Sequence, residues 1–289
     1  MAEVIRVASS TDRRVDDFRD LARADRRPDR PGGRGLVIAE GTVVVRRMLA
    51  SPYPIRAVLG VQRRVTELAD DLDGTDVPVY VADAETMAEV VGFHLNRGVL
   101  AVADRARLPD AEAVARQAST VAVLEGVGDH ENLGALFRNV AALGVGGVLL
   151  GPGCSDPLYR RSVRVSMGTV LRVPFAPLTP WPEGVSLLRG YGFHVAALTP
   201  SAGSQDLAGF AGRGHGRVAL LLGSEGHGLS REAIDAADTA VHIPMADGVD
   251  SLNIATAGAV AFYELTNRAA HEPDRDGSPP DHPVPTEGW

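Results

Sequence analysis

Residues 217–268 read RVALLLGSEGHGLSREAIDAADTAVHIPMADGVDSLNIATAGAVAFYELTNR, and this stretch decides the fold. Val218-Ala219-Leu220-Leu221-Leu222 is a continuous apolar run, the pattern of a strand buried on both faces. It stops at Gly223-Ser224-Glu225-Gly226-His227-Gly228, where small residues let a ligand approach bare main chain. Ser230 is the expected N-cap of a short helix through Ile234. A second apolar run, Ala240 to Met245, is broken by Pro244 and a Gly/Asp turn. Ser251-Leu252-Asn253 then opens a helix that stays small and apolar almost to Asn267. Two strand ends, each followed by a polar loop and a helix start, predict a ligand crevice at the carboxyl edge of a parallel sheet.

The residues upstream extend that sheet. Val121 to Glu125 reads as a buried strand, Gly126 to Glu131 as its loop, and Asn132 as the cap of a helix reaching Leu143. Leu133, Leu136, Phe137, Val140 and Leu143 recur at helical spacing and predict a core face, with Arg138 on the exposed flank. Strands are expected at 147–151, 173–178, 194–198, 218–222 and 240–243, alternating with helices at 182–190, 230–237 and 251–268. Arg160, Arg161 and Arg164 fall on one short helical turn, where like charges repel. An external anion is one reason to keep them there; neighbouring carboxylates of the chain are the other.

The N-terminal third differs. Asp12 to Ala24 is a helical candidate and Arg26 to Arg34 a basic loop. Short strands at Leu36–Ala39, Ile55–Val61, Val77–Val81 and Val99–Ala103 alternate with helices from Glu40-Gly41 and around Arg64 to Asp71. The division expected is 1–108 for a small α/β domain, 109–118 for a linker, 119–270 for the parallel-sheet domain, and 271–289 for a disordered, acidic, proline-rich tail.

Composition removes several classes. The 289 residues are 45% hydrophobic and 23% charged, an ordinary globular mixture. No run of about eighteen apolar residues suggests a membrane span, and the N-terminus lacks a secretory signal. The single cysteine, Cys154, has no disulfide or metal-site companion, and the histidines have no ligand-like spacing, so no metal is expected. A cytoplasmic location is the expectation. The net charge of −8 is unevenly spread: residues 1–60 carry twelve arginines against eight acids, whereas 65–90 carry eight acids and no base. Basic faces therefore remain available for nucleic acid. A nicotinamide or flavin enzyme is disfavoured, because the glycines at 223, 226 and 228 run G-x-x-G-x-G and Gly126-Val127-Gly128 has Glu131 in the third glycine's place.

Three segments together resemble the SpoU (TrmH-like) family of RNA ribose 2′-O-methyltransferases in the SPOUT superfamily. They are Asn132-Leu133-Gly134-Ala135-Leu136-Phe137-Arg138-Asn139, Leu222 through Ser230, and Ile243-Pro244-Met245 with Ser251-Leu252-Asn253. The resemblance implies an α/β fold whose C-terminal parallel sheet is closed by a trefoil knot. It also implies that the N-terminal unit, with Glu40-Gly41 and Asn96-Arg97-Gly98, is a ribosomal-protein-like RNA-binding module. A role for that unit in dimer stability is the alternative. The cofactor implied is S-adenosylmethionine, lined by Thr199, Gly223, Glu225, Ile243, Met245 and Leu252. Arg138, Asn132, Glu225, Ser251 and Asn253 are the implied catalytic set, and Arg160, Arg161 and Arg164 the candidate RNA contacts.

A homodimer is implied as well, with Arg138 of one subunit serving the cofactor site of the other. A guanidinium stays protonated in proteins. The role expected for Arg138 is therefore to fix the 3′-phosphate and stabilise charge on the 2′-oxygen. Ribosomal RNA is the expected substrate, and some such enzymes confer resistance to ribosome-targeting antibiotics. A tRNA methyltransferase and a non-catalytic RNA-binding protein that keeps the fold are the alternatives.

Overall fold

Runs rich in valine, leucine and alanine form the buried interior strands of two sheets. The computed structural model describes residues 3–21, 35–201, 203–249 and 251–270. The first sheet holds β1 (Val4–Arg6), β2 (Val37–Glu40), β3 (Ile55–Gly60), β4 (Val79–Val81) and β5 (Val99–Ala103) in the order β1-β4-β3-β5-β2. Strands β1, β4 and β3 are parallel, and β5 runs antiparallel to both β3 and β2. Around it lie α1 (Thr42–Leu49), α2 (Gln62–Glu67), α3 (Ala69–Leu72) and α4 (Ala84–Val91). Gly41 stands before α1 with φ +90°, and a Cβ there would meet the Arg97 side chain at 2.8 Å. The Glu40-Gly41 helix start thus needs its glycine.

Helix α5 (Ala111–Gln117), capped by the Asp110 side chain, leads into the second sheet. Its strands are β6 (Thr120–Leu124), β7 (Gly147–Leu150), β8 (Phe175–Pro177), β9 (His194–Leu198), β10 (Gln205–Asp206), β11 (Val218–Leu222) and β12 (Thr239–His242). They lie in the order β10-β12-β9-β11-β6-β7-β8, and every neighbouring pair is parallel. The helices are α6 (His130–Ala142), α7 (Arg160–Val165), α8 (Val185–Gly190), α9 (Leu207–Ala211), α10 (Arg231–Asp235) and α11 (Ile254–Ala270). Strand order reverses beside β6 and β11, the switch point at which parallel sheets open a crevice. No helix among the described residues is long and apolar enough to cross a membrane.

Two helix starts differ from expectation. Asp129, not Asn132, caps α6, its carboxylate accepting from the amides of Glu131 and Asn132. Helix α11 opens at Ile254 rather than at 251, and Asn253 caps it, its Oδ1 accepting from Ala255 N at 3.0 Å and Thr256 N at 3.2 Å. The physical reason is reach: the cap is the residue whose side chain meets the second and third amides of the helix. Near the N-terminus the described part of the expected helix, through Leu21, forms a 3-10 turn at Arg13–Phe18, and β1 is an element the sequence reading did not include. The basic loop 26–34 and the tail 271–289 lie outside the described residues.

The two sheets share one apolar cluster, in which Val44 and Met48 of α1 join Phe137 of α6 and Leu171. Arg47 Nη1 donates to Met167 O at 2.6 Å, and Gly168, at φ +82°, brings the backbone against Val44. Arg160 pairs with Glu40 at 3.2 Å, with side chains only 16% and 7% exposed. Arg160 also lies 4.8 Å over the Phe93 ring. Removing the carboxylate would strand a largely desolvated guanidinium, so Glu40→Ala should cost about 2–3 kcal/mol. Urea unfolding checks this; a loss below about 0.5 kcal/mol would show the pair to be dispensable.

At the opposite edge of the second sheet, His215 stacks on Phe210, ring centroids 4.3 Å apart, and lies 4.3 Å from the His194 ring. Burial, then His194, then Arg213, hold His215 below the usual histidine value of 6.5. A depressed histidine contributes stability that is fully present above the unfolded value. That contribution should fall as the pH drops below 6.5 through the folded value. Urea midpoints should therefore decline more between pH 7 and pH 5 in the native chain than in His215→Gln; equal declines would contradict it.

Candidate active site

Three neighbouring strands, β12, β9 and β11, end on one cavity of about 360 Å³. Leu198, Thr199 and Pro200 line it from β9, Leu222 through Leu229 (without Gly226) from β11, and His242, Ile243 and Met245 from β12. Ser251, Leu252, Ile254 and Ala257 close it from the start of α11. All six expected cofactor-lining residues, Thr199, Gly223, Glu225, Ile243, Met245 and Leu252, border this one space. Its size falls in the range of roughly 300–1,000 Å³ usual for small-molecule sites, and its walls combine aliphatic side chains with strand-end main chain.

The glycine loop is shaped first by its own backbone. A Cβ on Gly223 would lie well under 3.0 Å from the carbonyl of Gly228 and the amide of Leu229. Gly228, at φ +67°, donates its amide to Ser224 O at 2.8 Å, and Ser224 and Gly228 form a β-bridge that closes the neck. The expectation that small residues here serve a ligand's approach is therefore incomplete: Gly223 is required by the chain folding back on it.

At the mouth of the cavity three polar side chains meet. Asn253 Nδ2 donates to Asn132 Oδ1 at 2.8 Å and, by a short bond, to Glu225 Oε1. Glu225 Oε1 also accepts from Ile254 N at 3.4 Å. Because Asp129 caps α6, Asn132 Oδ1 is not taken up by the helix amides and accepts from Asn253, and the Asn132 side-chain N–H meets no acceptor among the described residues. Ser251 borders the cavity beside them.

Arg138 does not join this cluster. It is exposed, six residues beyond Asn132 on a different face of α6, and no carboxylate among the described residues pairs with it. Of the other arginines, Arg160 is held by Glu40 and Arg161 by Glu131 at 2.6 Å. Internal carboxylates thus answer the like-charge repulsion for those two, and Arg164 alone of the three makes no ion pair among the described residues.

Sequence reading missed some of the lining. His242, whose Nδ1 lies 3.0 Å from Ser204 Oγ, borders the cavity, and strand-end position was the only signal for it. Glu125, read simply as the last residue of a strand, is a buried carboxylate at the stem of the glycine loop. Among the described residues no group of three or more histidine, cysteine or acidic side chains could hold a metal ion.

A crevice across parallel strand ends, walled by apolar side chains and rimmed by two amides and a carboxylate, defines an α/β enzyme that takes a small cofactor. Residues 119–263 match the SpoU rRNA Methylase family. An uncharacterized tRNA/rRNA methyltransferase of Mycobacterium tuberculosis is 53% identical over 266 residues, covering 92% of each chain. A 23S rRNA (guanosine-2′-O-)-methyltransferase of Photorhabdus laumondii is 29% identical over 212 residues, 71% of this chain and 85% of that one. Among solved structures, the AdoMet-bound rRNA methyltransferase of Sinorhizobium meliloti superimposes with a TM-score of 0.76 at 26% identity, over 92% of this chain and 98% of that one. This chain belongs to the SpoU rRNA methylase family, and it is a methyltransferase acting on RNA.

Proposed function

We propose that the chain transfers a methyl group from S-adenosylmethionine to a ribose 2′-hydroxyl of ribosomal RNA, working as a homodimer. The observation that carries this reading is the Asn132–Asn253–Glu225 cluster at the mouth of the strand-end cavity. The cavity suits the cofactor in its chemistry: aliphatic walls for an adenine face, strand-end main chain for its edge, and the Glu225 carboxylate for positive charge. Gly223, Ile243 and Leu252 would hold the base and ribose, with Thr199 and Met245 completing the wall. The bound cofactor supplies an electrophilic methyl group on a sulfonium.

The protein's task is to present an oxygen to that methyl group in line and free of competing water. Asn132, oriented by Asn253, offers its free N–H to a ribose oxygen. Glu225 fixes Asn253 and so sets the geometry of both amides. Ser251 lies near enough to the cavity to hold a substrate hydroxyl. The exposed Arg138, with no ion-pair partner among the described residues, fits a guanidinium supplied across a twofold axis to the partner's site, where it would bind the 3′-phosphate and steady the developing oxyanion. Val260 and Tyr263 on the exposed face of α11, 39% and 56% accessible, give such an interface apolar surface. Arg164 and the N-terminal unit would grip the RNA.

Ribosomal RNA is favoured because relatives with a defined substrate in their names methylate 23S rRNA, and because a separate N-terminal sheet accompanies the second one. Incubation with labelled S-adenosylmethionine and unmodified ribosomal RNA or tRNA transcripts tests it. Label entering ribosomal RNA is expected; label entering tRNA alone would overturn the substrate assignment. Expression in a susceptible host, with growth measured against ribosome-targeting antibiotics, tests for a resistance phenotype.

Asn253 carries two duties, cap and orienting donor. Asn253→Asp keeps the cap but loses the amide donor and places a second carboxylate against Glu225. Turnover should fall about a hundredfold while the melting temperature moves by only a few degrees. Undiminished turnover would remove Asn253 from the mechanism.

A further inference from the structure

The glycine loop, residues 223–229, is held at both ends by one residue. Glu125 directly follows β6, and its backbone amide donates to Leu222 O at 2.9 Å, immediately before the loop. Its carboxylate accepts from Ser230 N at 2.8 Å and Ser230 Oγ at 2.7 Å, immediately after the loop. A third donor, Trp181 Nε1, reaches Glu125 Oε1 at 2.8 Å. The indole is fixed in turn against Gly151, where a Cβ would meet its ring at 2.9 Å. Glu125 is only 9% exposed, and no arginine among the described residues pairs with it. Three N–H or O–H donors converge on two acceptor oxygens.

That arrangement discriminates between a carboxylate and its neutral isostere. A glutamine keeps one acceptor oxygen and turns a second donor toward Ser230 N, leaving that amide without a partner. An anion that is buried with no cation beside it costs desolvation. Its three charge-assisted bonds offset that cost only while Ser230, and with it Leu229 on the cavity wall, stays in place.

We propose that Glu125 is a positioning residue that staples the two ends of the glycine loop, and that Trp181, bound to the same carboxylate, is a built-in reporter of the loop. The functional half of this rests on reading the adjoining cavity as the S-adenosylmethionine site. Glu125 acts through Ser230 and Leu229 on the cofactor and leaves the ribose cluster of Asn132, Asn253 and Glu225 untouched. The consequence is a split between the kinetic constants: KM for the cofactor changes and kcat does not.

The test uses the full chain in a Trp289→Phe background, which leaves Trp181 as the single tryptophan. Without ligand, amide hydrogen exchange at residues 224–229 should accelerate about tenfold in Glu125→Gln while β6 keeps its protection. Trp181 emission should shift as its indole N–H loses the carboxylate. With S-adenosylhomocysteine as calorimetric probe, Kd should rise about tenfold, and KM for the methyl donor likewise, with kcat within threefold. Ser230→Ala, which keeps the backbone bond and drops the hydroxyl, should give the same pattern at a few-fold and serves if Glu125→Gln does not fold. Unchanged exchange at 224–229, or a fall in kcat with KM unaltered, would overturn the staple. If the native chain binds no S-adenosylhomocysteine while exchange still accelerates, the cofactor reading fails and the staple stands.

Discussion

Arg138→Ala should lose methyl transfer by about a hundredfold to a thousandfold, while affinity for S-adenosylhomocysteine stays within threefold. Arg138 is exposed, lies off the Asn132 face of α6 and borders no part of the cavity of its own subunit. Its removal therefore costs the cofactor site nothing. In the role proposed for Arg138 the loss would fall on the transition state, where a guanidinium holding a phosphate and a developing oxyanion exerts its largest effect. Arg138→Lys should recover only part of the rate, because a point charge lacks the two-pronged fork.

If the arginine is supplied across a twofold axis, activity should also reappear between two inactive chains. Mixing Arg138→Ala subunits with Glu225→Ala subunits leaves, in each mixed dimer, one site with an intact cavity and a partner arginine. Random pairing would restore about a quarter of native activity. Absence of any recovery, with subunit exchange verified, would place Arg138 in its own subunit's site or outside the mechanism.

Gly223→Ala should abolish cofactor binding, with affinity lowered at least about a hundredfold and a fall of several degrees in melting temperature. The added methyl would overlap the Gly228–Leu229 peptide, which is main chain and cannot rotate aside. Relief requires the neck between Ser224 and Gly228 to open, and this withdraws Leu229 and Glu225 from the cavity together. Glu225 is also the acceptor that orients Asn253, so the ribose cluster would be disordered by the same change. Calorimetry on a folded Gly223→Ala chain checks this; binding within threefold of the native chain would mean that the loop can shift without consequence.

Much of this fold could be read from short apolar runs. Val218–Leu222, Val121–Leu124 and Val99–Ala103 are buried throughout, and a run buried on both faces has only the interior of a sheet to occupy. The edge strand Val4–Arg6 escaped because three partly exposed residues leave no such signature. Helix starts were legible to within a turn and no better. Asp129 and Asn132 both have capping side chains, as do Ser251 and Asn253, and apolar spacing cannot say which one reaches the first amides. The difference matters chemically, since the cap at Asp129 leaves Asn132 Oδ1 available to Asn253.

Polar partnerships across long separations were the least legible. Glu40 meets Arg160 across 120 residues, and Glu125 meets Ser230 across 105. Each joins a strand end to a helix start whose juxtaposition only the folded sheet creates. The six positions that the resemblance assigned to a cofactor, by contrast, all border one cavity, because they lie at strand ends and in the glycine loop, whereas His242 on the same wall carried no such signal.

The central claim is that a methyl group passes from the strand-end cavity to a ribose oxygen, and alkaline digestion of labelled RNA tests it most directly. A methyl group on the 2′-oxygen blocks attack on the adjacent phosphodiester. Ribosomal RNA labelled by this enzyme from tritiated S-adenosylmethionine should therefore release its label in alkali-resistant dinucleotides. Label released in mononucleotides, which marks methylation of a base, would contradict the account.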